Sequence, residues 1–176
     1  PRFAPLIRQL VRQGHYLGPH SHRHLLYCDW YKPDSLFVTR PQFDEDIQAN
    51  LKVLRSFTKK EEQPVYFIPP YEWYNDSISA WSEAAGLKLF NFTPGLLTNT
   101  DYTTPDMKNY RSTETIWEQL IQYEQAHASG LNGFLMLIHI GTDPGRTDKF
   151  YHRLPALVDL LTQKGYRFVR VDELLK

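Results

Sequence analysis

The stretch Gly14-His15-Tyr16-Leu17-Gly18-Pro19-His20-Ser21-His22-Arg23-His24 places three of the chain's seven histidines within five positions. Neutral imidazole is the commonest metal ligand in proteins. In a helical turn, side chains four residues apart point to the same side, so His20 and His24 are predicted to meet one ion while His22 points elsewhere. The hydroxyl of Ser21 suits an N-cap or a hydrogen bond to one of these ligands. A histidine-rich, solvated turn is the alternative interpretation at this point.

Around this stretch the sequence alternates between helical and strand patterns. The alternation predicts an α/β layer or barrel, and the lack of a repeat or low-complexity linker predicts a single domain over residues 1–176. The apolar run 134–138 does not alternate with polar residues, which is typical of a parallel strand covered on both faces. Helices are predicted at 6–13, 42–57, 78–85, 112–128 and 154–163, and strands at 16–18, 65–68, 87–92, 134–138 and 166–169.

Polar motifs follow several of the predicted strands. These motifs are the histidine turn (residues 20–24), Pro69-Pro70-Tyr71, Thr93-Pro94-Gly95 and His139-Ile140-Gly141. In α/β folds the chemistry lies at the carboxyl ends of the strands, so the motifs are predicted to share one rim and to form a metal site. The acidic run Asp44-Glu45-Asp46 is predicted to lie on a helix away from that rim.

Composition excludes several classes of function. Lys and Arg together number 20, as do Asp and Glu, and no basic stripe or acidic tail interrupts the balance. Nucleic acid and anionic membrane surfaces are therefore poor candidates for partners. No apolar run is long enough to span a bilayer, which predicts no transmembrane segment. The single cysteine, Cys28, excludes an internal disulfide.

Four segments occur in an order and at a spacing that are specific when taken together. Residues 14–24 resemble the pattern G-H-x-x-x-N-H-[ST]-x-x-H, with Pro19 in place of the asparagine. Phe67-Ile68-Pro69-Pro70-Tyr71 resembles F-R-P-P-Y, with Ile68 in place of the arginine, and Leu137-Ile138-His139 matches L-x-H. The C-terminal segment 164–175 completes the set. Over its whole length the chain thus resembles the polysaccharide deacetylase family, the NodB-homology domains that are grouped as carbohydrate esterase family 4.

The resemblance implies a fold and a reaction. The fold would be a distorted (β/α) barrel, and the reaction would be hydrolysis of N- or O-acetyl groups on a sugar. A divalent metal, usually zinc, would be held by His20 and His24, and His139 would be the general acid. The backbone amide of Tyr71 would hold the oxyanion, and Asp101 would orient the acid histidine.

The resemblance also implies a partner and a location. The partner would be an acetylated polysaccharide or oligosaccharide. Pro70, Tyr71, Trp30 and Trp73 would contact it. The location would be extracytoplasmic: periplasmic, cell-surface or secreted.

Two departures from the family pattern stand out. The family's first strand ends in T-F-D-D, which supplies the general base and a third metal ligand, and no such segment is present. The first βα units are therefore expected to lie outside this chain. A rearranged site in which Asp29 or Asp143 supplies a carboxylate, or His22 a nitrogen, is the alternative. The second departure is Ile68, which stands where the family has the arginine that orients the base.

Three hypotheses follow from these observations. The first is a metal-dependent carbohydrate deacetylase. The second is a non-catalytic domain that binds glycan and has lost the base. The third is an α/β domain with a structural or partner-binding role and no metal.

Overall fold

The computed structural model of the chain describes residues 2–58 and 65–176. None of the helices in these ranges is long and apolar enough to cross a bilayer. The elements are α1 (Ala4–Arg12), α2 (Arg40–Arg55), β1 (Tyr66–Phe67), α3 (Asp76–Ala84), β2 (Lys88–Leu89), α4 (Thr113–Ala126), α5 (Leu154–Gln163) and α6 (Val171–Leu174), with 3₁₀ turns at Pro70–Glu72, Thr98–Thr100 and Phe150–Arg153.

The predicted helices are confirmed. They could be predicted from the sequence because the signals that start and stop a helix are local. Helix α2 begins after Thr39, whose hydroxyl accepts the Gln42 backbone N–H while the Gln42 side chain accepts the Thr39 N–H. This reciprocal pair is a capping box. Helices α3 and α4 begin after Asn75 and Ser112, whose side-chain oxygens each accept a backbone N–H from the first turn.

Strands β1 and β2 form a parallel pair in which Tyr66 lies opposite Lys88. They fall within the predicted strands 65–68 and 87–92, although each strand is only two residues long. A parallel pair needs a crossover, and α3 supplies it between the two strands.

The strand predictions at 16–18, 134–138 and 166–169 are wrong, since none of these segments belongs to a strand. Strands require backbone groups that pair repeatedly with a neighbouring backbone. Beside β1, the Tyr66 N–H donates instead to the phenolic oxygen of Tyr16, at 2.8 Å. The side chain of Tyr16 thus takes the hydrogen bond that a neighbouring strand would otherwise make.

The segment 134–138 shows the same substitution of a side chain for a backbone partner. The Leu135 carbonyl accepts the Thr93 N–H at 2.9 Å, but the Leu135 N–H donates to the Thr93 hydroxyl at 3.0 Å. Residues 134–138 are half-buried rather than covered on both faces. Apolar composition alone therefore did not identify a strand.

The chain divides into two compact units, which we call the first unit (Pro1–Asn91 with Arg170–Lys176) and the second unit (Phe92–Val169). The prediction of a single domain over residues 1–176 stays a prediction. The buried core of the first unit consists of Tyr27, Val38, Phe43, Ile47, Leu51, Phe67, Ile78 and Leu87. The buried core of the second unit consists of Leu96, Ile116, Leu120, Leu131, Phe150, Leu157 and Leu161.

Phe43 of α2 lies at the centre of the aromatic packing in the first unit. Its ring centroid lies 5.2 Å from that of Tyr27, 6.4 Å from that of Phe67 and 5.8 Å from that of Trp81. Burying a phenylalanine completely stabilises a fold by about 2–3 kcal/mol. Because Tyr27 follows the histidine turn closely in the chain, this packing anchors the C-terminal side of that turn against α2.

Gly18 approaches the backbone of β1 too closely for any side chain. A Cβ built on Gly18 would lie 2.6 Å from the Tyr66 carbonyl oxygen. We expect Gly18→Ala to lower the free energy of unfolding by about 1–3 kcal/mol, because the backbone that leads into the histidine turn must move away from β1. Chemical denaturation measures this change.

The matched control is Gly141→Ala, since a Cβ built on Gly141 meets nothing within 4 Å. This substitution should change stability by less than about 0.5 kcal/mol. Equal effects of the two substitutions would show that the close approach at Gly18 does not matter.

Candidate metal and glycan site

The histidine turn brings the two predicted ligands together, although not through a helix. No helix covers residues 20–24, and Ser21 (φ 72°) and His24 (φ 54°) both adopt the left-handed region. The prediction of a helical turn is therefore wrong. The rings of His20 and His24 nevertheless approach edge-on, with centroids 5.0 Å apart. The His24 N–H donates to the Ser21 hydroxyl at 3.0 Å, which closes the turn.

The carboxylate of Asp46 on α2 organises this turn. It is almost fully buried, and it accepts the Ser21 hydroxyl at 2.5 Å and the backbone N–H groups of His22 and Arg23, both at 3.0 Å. The Arg23 side-chain Nε–H also donates to it, at 3.1 Å. The sequence predicted that Asp46 lies on a helix away from the rim to which the histidine turn was assigned, and the position away from that rim is wrong. Asp46 is on a helix, but it faces the histidine turn.

Asn50 lies one turn further along α2, and the sequence did not predict that it contacts the histidine turn. Its side-chain oxygen accepts the His20 backbone N–H at 3.2 Å. Asp46 and Asn50 are four residues apart, next to the apolar stripe of Phe43, Ile47 and Leu51, so their side chains lie on the same side of the helix. Two short polar residues beside a buried stripe were the signal available in the sequence.

Two opposing effects act on the pKa of Asp46. Burial favours the neutral carboxyl and raises the pKa, whereas the hydrogen bonds from Ser21, His22 and Arg23 favour the carboxylate and lower it. The hydrogen bonds outweigh burial, and the pKa lies below its ordinary value. Asp46 therefore remains ionised while it holds the turn.

His20 is oriented by a backbone carbonyl. Its Nδ1 lies 2.8 Å from the carbonyl oxygen of Ile68, at the end of the segment that contains β1. An oxygen acceptor requires the proton on Nδ1, and the lone pair then lies on Nε2, the arrangement that metal-binding histidines use. The Ile68 side chain cannot replace the family's arginine, but the backbone of Ile68 orients a predicted ligand.

Tyr71 lies beside His24 in a strained turn. The two ring centroids are 4.7 Å apart, and Tyr71 (φ 60°) and Glu72 (φ 53°) both adopt the left-handed region. The Asn91 side-chain amide donates to the Glu72 carbonyl at 2.8 Å and holds the turn. In the described part of the chain, the Tyr71 backbone N–H donates to no protein acceptor. Strain of this kind is concentrated at functional sites.

Three aromatic side chains, Trp30, Tyr71 and Trp73, form what we call the aromatic platform. The centroid of the Trp30 ring is 5.9 Å from that of Tyr71 and 5.4 Å from that of Trp73. The Trp73 indole N–H donates to the Asp29 carbonyl at 3.2 Å, and nearly half of the Trp30 and Tyr71 surfaces is exposed. Pro70 is buried and begins the turn, so it supports Tyr71 rather than presenting a surface of its own.

The alternative ligands have other partners. Asp29 Oδ1 accepts the backbone N–H groups of Tyr31 and Lys32, and Asp143 Oδ1 accepts that of Gly145. Over residues 2–58 and 65–176, no three side chains of His, Cys, Asp or Glu gather closely enough to hold a metal. The site therefore fits a divalent ion in part, because two imidazoles are in place and a third protein ligand is not.

The second unit contains a separate pairing of a histidine with a carboxylate. Asp101 is fully buried; its Oδ1 lies 2.6 Å from His139 Nδ1, and its Oδ2 accepts the His139 backbone N–H at 2.8 Å. The ring of Tyr102 packs edge-on against that of His139, with centroids 5.4 Å apart. Asp101, the residue expected from the resemblance to orient the acid histidine, is thus in contact with His139. The rim predicted to join His139 to the histidine turn stays a prediction.

Comparison with known proteins identifies relatives of one kind. The family model described as polysaccharide deacetylase matches residues 2–90, half of the chain. The curated peptidoglycan-N-acetylglucosamine deacetylase of Bacillus cereus is 26% identical over 174 residues, which cover 97% of this chain and 68% of that protein.

Solved structures show the same likeness. A family 4 acetyl xylan esterase from Clostridium thermocellum, in complex with a cobalt ion, has a TM-score of 0.67 and 20% identity over 98% of this chain and 70% of its own. A CE4 family pseudoenzyme from Bacillus anthracis has a TM-score of 0.65 and 12% identity over 99% of this chain and 51% of its own. The chain thus spans about half of the pseudoenzyme. The predicted α/β fold of the NodB-homology type is confirmed.

Removing the Asp46 charge should loosen the histidine turn. We expect Asp46→Asn to lower the free energy of unfolding by about 3 kcal/mol at neutral pH, because the buried N–H and O–H donors lose a charged acceptor. The Asp46 pKa is lowered by folding, so its contribution is present above the unfolded value of about 3.9 and is lost as the pH falls through the lower folded value. The difference between wild type and Asp46→Asn should accordingly shrink in acid.

Denaturant unfolding at several pH values measures both effects. The control is Glu45→Gln on the same helix, because Glu45 is exposed and its 3.9 Å contact with Arg23 is a surface ion pair. A loss of stability in Glu45→Gln as large as in Asp46→Asn would count against a specific role for Asp46.

Proposed function

The chain belongs to the polysaccharide deacetylase family, and from this membership we propose that it removes acetyl groups from a carbohydrate polymer with the help of a divalent metal. The observation that carries the proposal is the approach of the His20 and His24 rings to 5.0 Å, with His20 Nδ1 on the Ile68 carbonyl. A histidine-rich turn with no role beyond contact with solvent does not require an imidazole that is held in one orientation.

His20 and His24 would hold the ion, with Nε2 as the donor atom of His20. A bound divalent ion supplies Lewis-acid polarisation of an acetyl carbonyl and lowers the pKa of a water. Zinc is the ion we propose, because imidazole suits it well. The buried carboxylate of Asp46 fixes the turn that carries both imidazoles, so the ligands need little rearrangement to bind.

Tyr71 would contribute its backbone rather than its phenol. Its N–H donates to no acceptor among the described residues, and the strained turn fixes its direction. Such a donor can stabilise the negative charge that develops on the acetyl oxygen. The contact between the Tyr71 and His24 rings supports a place for this amide next to the metal ligands.

His139 would act as the general acid. With Nδ1 on the Asp101 carboxylate, the ring delivers a proton from Nε2 to the departing nitrogen or oxygen of the sugar. The buried carboxylate fixes the direction of the ring and stabilises the imidazolium that delivers the proton. Asp101 is thus a positioning residue in this proposal.

The aromatic platform would bind the sugar chain. Exposed tryptophan and tyrosine rings offer apolar faces to pyranose rings, and the Trp73 hydrogen bond to Asp29 keeps the platform rigid. Pro70 would support it from below. The Bacillus cereus relative is named for N-acetylglucosamine in peptidoglycan, which makes acetylated cell-wall glycan the substrate we propose and an extracytoplasmic surface the proposed location.

A non-catalytic glycan-binding role is the second candidate. It is favoured by Ile68 in place of the arginine, by the lack of a third ligand among the described residues, and by the pseudoenzyme that shares the fold. Both candidates predict glycan binding. Only the first predicts that acetate is released.

Alanine substitutions of the turn histidines test the metal site. We expect His20→Ala and His24→Ala, made in the full-length protein, to weaken zinc binding at least about tenfold and to abolish acetate release from acetylated chito-oligosaccharides, xylan or peptidoglycan. Competition with a chromophoric chelator measures affinity, and an enzyme-coupled assay measures acetate.

The matched control is His22→Ala in the same turn. The His22 side chain is exposed, and only its backbone N–H contacts Asp46, so affinity should stay within about twofold of wild type. An equal loss in all three variants would reject ligation by His20 and His24. Zinc and glycan binding without acetate release would establish the non-catalytic candidate instead.

Trp30→Ala tests the aromatic platform. We expect it to weaken binding of a chito-oligosaccharide about two- to twelvefold, since one aromatic contact is worth about 0.5–1.5 kcal/mol. Isothermal titration measures the affinity. Tyr31→Ala is the control, because Tyr31 is 93% exposed and makes no ring contact in the described residues; an equal effect there would mean that the platform has no special role.

A further inference from the structure

Arg146 is the largest fully buried side chain of the described residues, and the proposed reaction assigns it no part. Arginine is almost never fully buried unless its charge and donors find partners, because desolvation of the guanidinium is costly. Arg146 follows His139 by one short loop, residues 140–145.

The guanidinium joins two parts of the chain that precede it. One terminal nitrogen, Nη1, donates to the Thr103 carbonyl at 2.7 Å, and the other, Nη2, donates to the Arg111 carbonyl at 3.0 Å. The group lies over the Tyr110 ring, with Cζ 5.4 Å from the centroid. These contacts fix both ends of segment 103–111.

Asp148 is the charged partner of Arg146, although the two do not form a hydrogen bond. Arg146 Nε and Asp148 Oδ1 are 3.6 Å apart, and neither atom has a hydrogen-bond partner among the described residues. The other carboxylate oxygen accepts the Thr113 N–H at 2.7 Å and the Tyr110 hydroxyl at 3.0 Å. The Asp148 carboxylate therefore balances the charge of Arg146 nearby. The shorter hydrogen bonds of Arg146 go to the two backbone carbonyls, and longer ones of 3.4 Å go to the hydroxyls of Thr103 and Thr113.

Thr103 lies two residues after Asp101 in one tight turn. The Thr103 N–H and hydroxyl both donate to the Thr100 carbonyl, and the Asp101 N–H donates to the Thr98 carbonyl. The loop 139–146 thus meets this turn at two points. His139 contacts Asp101 at one point, and Arg146 contacts Thr103 at the other.

We propose that Arg146 is a positioning residue that holds the Asp101 carboxylate in register with His139. The proposal rests on the proposed function, in which His139 delivers the proton. By fixing Thr103, the guanidinium prevents the short turn from sliding along the loop, so that both Asp101 oxygens stay on His139. Arginine suits this task because its planar fork donates to two carbonyls at once, whereas one ammonium group cannot reach both.

The test compares Arg146→Lys with the wild-type full chain by NMR and by kinetics. The NMR readout is the tautomer of His139, from its ring ¹⁵N shifts, with the downfield resonance of the Nδ1-bound proton. We expect the downfield resonance to disappear, and kcat for acetate release to fall about tenfold while KM stays within about twofold. When Asp101→Asn is already present, adding Arg146→Lys should have little further effect on His139, because the carboxylate that Arg146 is proposed to position has been replaced.

A second variant and a control complete the experiment. Arg146→Met combined with Asp148→Asn removes both charges, so that neither remains buried and unpaired, and it should also lose the His139 resonance. Arg153→Lys is the control: Arg153 is partly exposed, pairs with Glu114 and packs over Trp117, and the wild-type signature should persist.

Two outcomes would overturn the proposal. One is a folded Arg146 variant whose His139 resonances match wild type. The other is loss of native structure in both variants, which would make Arg146 a residue of stability alone. Because the NMR readout needs no turnover, a protein that releases no acetate would reject the proposed function and still decide the role of Arg146.

Discussion

The hydrogen bonds between Asp46 and the histidine turn are the constraint on which the first unit's site depends. Residues 20–24 contain no helix or strand to fix them, and two of them adopt the left-handed region. A non-glycine residue in that region costs roughly 1–2 kcal/mol. One buried carboxylate that accepts from Ser21, His22 and Arg23 offsets this cost, and α2 presents it from a rigid element.

Two of the three histidines with proposed chemical roles are oriented through the same ring atom, Nδ1, by different acceptors. His20 Nδ1 meets a neutral carbonyl, whereas His139 Nδ1 meets a buried carboxylate. A carbonyl on Nδ1 fixes the tautomer in which Nε2 carries the lone pair, which a metal ligand requires. A carboxylate favours the imidazolium, which suits a group that must bind and deliver a proton. Each acceptor is thus compatible with the role proposed for its histidine.

Membership of the polysaccharide deacetylase family does not by itself decide between an enzyme and a binding domain. Among proteins of this fold are an acetyl xylan esterase with a cobalt ion and a pseudoenzyme. The difference lies in a few side chains, and this chain departs from the family at one of them, Ile68. The Ile68 backbone still orients His20, so a substitution that removes a charged side chain leaves the ligand geometry intact. The proposed metal ligation by His20 therefore does not depend on the side chain at position 68.

The helices and the family motifs could be predicted from the amino-acid sequence alone. Apolar periodicity and caps such as Thr39 and Ser112 are local, so α1 to α5 lie where they were predicted. The folded chain was needed to show that Asp46, Asn50 and the Ile68 carbonyl hold the histidine turn and that Arg146 is buried. It was also needed to show that Tyr16 and Thr93 supply side-chain partners where strands were expected. These features depend on hydrogen bonds between residues that are distant in the chain. Such bonds leave no periodic trace, because they depend on which surfaces meet after the helices have packed.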